Sequence, residues 1–135
     1  MDRRHFIRMS ALGASAGLIV PATALAGTAS MAGGVYYTKD APGRWSAKAG
    51  PHLPVVEVSG KSIQVTTPHE MKGYEHYIVK HMVLNDKYEF ITEKMFNPDT
   101  DQTAVSQFTV DNYSGQIYVL SVCNKHDTWM SSATV

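Results

Sequence analysis

The chain has a single cysteine among 135 residues, so no internal disulfide can form and the fold must rest on its own core. It has no block of like charge either. Twelve Lys and Arg balance twelve Asp and Glu, and no basic stripe interleaved with aromatics offers a nucleic-acid footprint. No uncharged run is long enough to span a bilayer comfortably, and none repeats apolar residues with a helical period. At this length one domain is accommodated and not two. The absences leave a small β-rich domain whose partner is small.

The first 26 residues read as an address. Asp2-Arg3-Arg4-His5-Phe6-Ile7-Arg8 is a basic start, Ala11 to Val20 is a mildly apolar run interrupted by Gly13, Ser15 and Gly17, and Ala24-Leu25-Ala26 is a small-x-small cleavage site. The arginine pair followed by Phe6 resembles a twin-arginine signal. That resemblance implies periplasmic export of a folded protein, often one loaded with its cofactor beforehand, and no stable membrane insertion. His5 leaves with the segment. The segment also removes three arginines and one aspartate, so the remaining chain of about 109 residues carries a net charge of −2. A domain of that size buries roughly two thirds of its unfolded surface and needs no staple. A free thiol in an oxidising compartment is a liability unless it is buried or held by a metal.

Residues 27–50 are rich in Gly, Ala and Ser and read as an irregular arm anchored by Tyr36, Tyr37 and Trp45. From residue 51 to 135 short apolar runs alternate with turn residues. Val55 to Val58 leads through Ser59-Gly60 into Ser62 to Thr66, a hairpin in which Ile63 and Val65 share a face. Tyr74 to Leu84 and Tyr88 to Phe96 form a second hairpin around Asn85-Asp86. Ala104 to Val110, Gln116 to Cys123 and Trp129 to Val135 complete about seven strands. Such spacing predicts an antiparallel β-sandwich of immunoglobulin-like type. That fold serves many functions, so the site must decide.

Cys123-Asn124-Lys125-His126 ends the apolar run Ile117 to Val122, and a strand running into Cys-x-x-His has metal-ligand spacing. On its own, a cysteine on an apolar strand is more often a small buried hydrophobe than a ligand. His52 and His69 stand at proline-marked strand ends, in Gly50-Pro51-His52-Leu53-Pro54 and Thr67-Pro68-His69-Glu70-Met71. His76 starts the Tyr74 to Leu84 run. Together with His126 they predict a cluster. His81, five residues after His76, falls on the opposite face by the period-two rule and is left out.

Four segments in order, His52-Leu53-Pro54-Val55-Val56-Glu57, Pro68-His69-Glu70-Met71, Glu75-His76-Tyr77-Ile78 and Cys123-Asn124-Lys125-His126 with Trp129, resemble the ligand segments of superoxide reductases, the desulfoferrodoxin and neelaredoxin group. The likeness spans roughly residues 43 to 135. It implies one non-haem iron, Fe2+/Fe3+, held by His52, His69, His76 and His126 with Cys123 as thiolate ligand, and reduction of superoxide to hydrogen peroxide with electrons from a donor protein. Backbone N–H groups of Asn124 to His126 are placed to tune the sulfur. Family members with a second iron carry an extra four-cysteine domain; the single cysteine here implies the one-iron form. Many members have Glu-Lys directly before the first histidine, where this chain has Gly50-Pro51, and Lys48 is the nearest substitute for the lysine that attracts superoxide and assists protonation. Asp127 stands where glycine is frequent, and an acid there would repel an anion. The alternative reading is a non-catalytic iron or redox module on the same scaffold, and zinc would also suit the donors. The expected partners are superoxide, an electron-donor protein and a homo-oligomeric copy of the chain.

Overall fold

A computed structural model describes residues 30–135; the expected export segment, residues 1–26, lies outside the described residues. Residues Ala32–Val135 form one compact unit. Seven strands build two antiparallel sheets: β1 (Val55–Ser59), β2 (Ser62–Thr67) and β5 (Ala104–Thr109) in the order β1-β2-β5, and β3 (Ile78–Leu84), β4 (Phe90–Met95), β6 (Gln116–Cys123) and β7 (Asp127–Thr134) in the order β4-β3-β6-β7. This is the expected sandwich. No helix among the described residues is long and apolar enough to cross a membrane.

Alternation sets the buried faces. In β2, Ile63, Val65 and Thr67 point inward; in β6, Ile117, Val119, Ser121 and Cys123 do. The first hairpin closes through Gly60 at φ +61, a conformation that a side chain would strain. Ile63, Val65, Val83, Val110, Ile117 and Val119 make the main core cluster. Each large aliphatic side chain buried there contributes about 1.5–3 kcal/mol relative to exposure. A second cluster, Ile78, Phe96, Ala104 and Cys123, fills the end where β6 runs out.

Three expectations change in detail. The run expected to be strand from Tyr74 becomes strand only at Ile78, because Gly73 at φ +56 opens a 3₁₀ turn (Gly73–Glu75) and Lys72 bridges His76. The last strand starts at Asp127, two residues before Trp129. The arm ends in a 3₁₀ segment (Gly43–Lys48) that continues into a one-turn helix, α1 (Ala49–His52). Tyr37 ties the arm to β7 through Tyr37 N–H to the Thr128 carbonyl (2.9 Å) and Met130 N–H to the Tyr37 carbonyl (2.8 Å).

Candidate metal centre

Each donor is delivered by a different local device. His52 ends α1, and its Nδ1 lies 2.7 Å from the Lys48 carbonyl one helical turn back. A carbonyl accepts, so Nδ1 carries the proton and Nε2 is left with a lone pair. His69 follows β2 through Pro68, with its Nδ1 held by the Glu70 carbonyl, so it too offers Nε2. His76 leaves the 3₁₀ turn that Gly73 opens. Cys123 is the last residue of β6, and His126 comes three residues later, before β7 starts at Asp127.

These side chains converge. The donor atoms of His52, His69, His76, Cys123 and His126 all lie within 4.8 Å of one another. His69 Nε2 and His76 Nε2 are 3.0 Å apart, and His76 Nε2 is 3.3 Å from His126 Nδ1. Cys123 Sγ is 3.6 Å from His126 Nδ1 and 3.9 Å from His69 Nε2. His52 Nε2 is buried with no hydrogen-bond partner. A buried polar atom left unpaired costs about 1–3 kcal/mol, which a bound cation would recover. Nitrogens bound to one ion at about 2.1 Å lie about 3.0 Å apart when their bonds meet at a right angle, close to the 3.0 and 3.3 Å of the His69–His76 and His76–His126 pairs. The residues fit a single metal ion.

Charge and burial point the same way. Burial pushes His52 down to about 4, only partly offset by the Lys48 carbonyl. Burial first, then the neighbouring imidazoles, also lowers His76; for His126 burial is followed by Lys48 and His69. Neutral imidazole is the form that binds metal. Lys125 N–H donates to Cys123 Sγ at 3.5 Å, whereas the Asn124 N–H expected to help is taken by the Tyr77 carbonyl at 3.2 Å.

A surface hollow of about 340 Å³ opens onto the four imidazoles and is also lined by Lys48, Pro51 and Glu70. Cys123 does not line it. Cys123 is 3% exposed and lies on the core side, packed with Ile78, Phe96 and Ala104. Trp129, fully buried, stacks on His52 (centroids 5.7 Å apart) and donates its indole N–H to the His126 carbonyl at 2.9 Å.

Asp127 behaves differently from the expectation that it would repel an anion. Its carboxylate accepts the Trp45 indole N–H (2.8 Å) and an Arg44 N–H (2.7 Å), and these two bonds, Trp45 first, hold it below the usual carboxylate range. It is absent from the hollow. Its backbone has φ +64, the left-handed region that favours glycine. The acid at the hollow is Glu70, half-exposed and 3.5 Å from Lys72. In the sequence Glu70 stands out only as part of Pro68-His69-Glu70-Met71. Trp45 was read as an arm anchor, yet its ring packs edge-on against His126 at 4.7 Å.

His81 takes no part in the cluster, but not for the reason the sequence suggested. His76 precedes β3, so the two residues do not share a strand. A bulge between Ile78 and Lys80 shifts the strand's phase, and Ile78 and His81 are both buried.

The desulfoferrodoxin family model matches residues 44–132. A search of curated proteins gave no match. Among solved structures, a variant of the superoxide reductase (neelaredoxin) from Ignicoccus hospitalis is similar at 22% identity, covering 76% of this chain and 94% of that one, with a TM-score of 0.65. The superoxide reductase (1Fe-SOR) from Giardia intestinalis is similar at 18% identity over 63% of this chain and 98% of that one, TM-score 0.54. The superoxide reductase from Treponema pallidum is similar at 26% identity over 61% and 66%, TM-score 0.50. With a match over most of its length, a shared fold and the four-histidine, one-cysteine cluster, the chain belongs to the desulfoferrodoxin family.

Proposed function

We propose that this protein is a superoxide reductase of the one-iron form, with iron held by His52, His69, His76, His126 and Cys123. The observation that carries the reading is the convergence of four imidazoles and one thiol, one imidazole nitrogen being buried and unpartnered. Iron bound there would supply one-electron chemistry, and the net reaction consumes one superoxide, one electron and two protons to give hydrogen peroxide. The chain's own residues account for the rest. The hollow leaves the imidazole side open to a small anion while Cys123 stays buried on the core side. Lys48 lines that hollow and, among the described residues, brings the only positive side chain to its wall, which favours approach of an anion. Glu70 opposes it from the same wall, with Lys72 in part offsetting its charge. Water in the open hollow can deliver protons. An external donor protein restores the electron, and the Arg3-Arg4 segment supports periplasmic export by the twin-arginine route.

Gly50-Pro51, in place of the acid-lysine pair frequent in the family, favours a second reading, a non-catalytic iron or redox module. Metal analysis and pulse radiolysis separate the two. One iron per chain and rapid bimolecular reaction of the ferrous protein with superoxide are expected. One tightly bound iron without that reaction would support the module, and no iron would remove both readings.

A further inference from the structure

Directly behind the centre lie four polar side chains that the proposed reaction does not use. His81 (β3) is fully buried, with Nε2 2.8 Å from Thr67 Oγ1 (β2) and Nδ1 2.7 Å from Ser106 Oγ (β5). Thr67 Oγ1 is in turn 2.7 Å from Ser121 Oγ (β6). All four are at most 3% exposed. With a neutral imidazole the chain of hydrogen bonds satisfies every member in either direction, for example Ser106 O–H to Nδ1, Nε2–H to Thr67 and Thr67 O–H to Ser121.

Every one of these three bonds crosses between the sheets: Thr67 and Ser106 belong to the three-stranded sheet, His81 and Ser121 to the four-stranded one. The donors of the centre are divided in the same way. Thr67 precedes His69 by two residues, and the His69 N–H returns to the Thr67 carbonyl at 2.7 Å, so the turn bearing His69 is anchored on Thr67. Ser121 precedes Cys123 by two residues on the same inward face of β6. The 3.9 Å separation of Cys123 Sγ from His69 Nε2 therefore depends on how the two sheets sit against each other. Apolar packing is nondirectional and sets that relation loosely. Hydrogen bonds have narrow preferred lengths and angles, and buried ones are costly to break.

We propose that His81, acting with Thr67, Ser106 and Ser121, is a positioning residue: its cross-sheet network fixes the separation of His69 and Cys123 and thereby the metal affinity and thiolate bonding of the centre. The inference rests on the metal reading given above. Phe96 supports it from the side, its ring edge-on to His81 at 4.9 Å and in the same core cluster as Cys123.

The test compares wild type with His81→Leu, His81→Gln and Ser121→Ala. Two readouts are used, neither needing turnover: the dissociation constant for Co(II) by chelator competition, and the thiolate-to-iron absorption band of the iron-loaded ferric protein. His81→Leu and Ser121→Ala are expected to weaken Co(II) binding by about tenfold or more and to move the band. His81→Gln, which keeps a donor and an acceptor, is expected to stay close to wild type. A merely structural histidine would lower the unfolding midpoint and leave both readouts where they were. Unchanged affinity and band in His81→Leu, or in Ser121→Ala where the leucine variant does not fold, would overturn the proposal. A wild type with no thiolate band at all would instead remove the metal reading on which it stands.

Discussion

His81 titrates at about 4 in the folded protein because burial disfavours its charged form, with the Lys94 charge adding to the effect, against 6.5 for an unperturbed histidine. Between those two values the unfolded chain binds a proton that the folded chain refuses. The contribution is therefore present in full above pH 6.5 and is lost as pH falls through 4. In total it amounts to about 3 kcal/mol, of which about 2 kcal/mol is lost between pH 7.5 and pH 5. For a domain whose whole stability is about 5–15 kcal/mol, that loss is easily measured. His81→Gln removes the titration while offering Thr67 and Ser106 a donor and an acceptor. Urea unfolding of the metal-free protein at the two pH values, for wild type and variant, isolates the His81 contribution; His52, also held at about 4, contributes equally to both proteins and cancels in the difference. Wild type should lose about 2 kcal/mol more than His81→Gln on going to pH 5. Equal losses in the two proteins would refute the assignment.

Cys123→Ser should leave the sandwich folded and abolish the thiolate-to-iron absorption of the oxidised protein, since a hydroxyl is a poor, hard substitute for thiolate; an unchanged visible spectrum would show that the sulfur is not bound. Lys48→Ala should slow the ferrous protein's reaction with superoxide, and the deficit should shrink as ionic strength rises, because the attraction is long-range and screened; pulse radiolysis over a salt series reads it. Asp127→Ala should free Trp45 and Arg44, loosening residues 43–52 and with them His52; faster proteolysis of that segment and weaker Co(II) retention are expected, and wild-type behaviour in both would show the carboxylate to be dispensable. Trp129→Phe keeps a ring against His52 but loses the bond to the His126 carbonyl, at a cost of about 1 kcal/mol in unfolding free energy.

Several features could be read directly from the residues because neighbours along the chain produce them. Ile63 and Val65 share a face because a strand alternates, Ser59-Gly60 turns because glycine takes φ +61, and Cys123 stands two residues beyond Ser121 on one side of β6. The donor types, imidazole and thiol at strand ends, were likewise visible, and with them the kind of ion they suit. Other features belong to the closed sandwich. The bulge that sets the phase of β3 forms only against β6, so the face of His81 could not be counted from His76. Asp127 looked like a free acid because its partners, Arg44 and Trp45, lie 83 and 82 residues away. The hydrogen-bond network of His81 was hidden in the sequence because Thr67, Ser106 and Ser121 come from three other strands. Local alternation and turn preference are properties of adjacent residues, whereas the charge, burial and hydrogen bonding of a side chain depend on which distant segments fold against it.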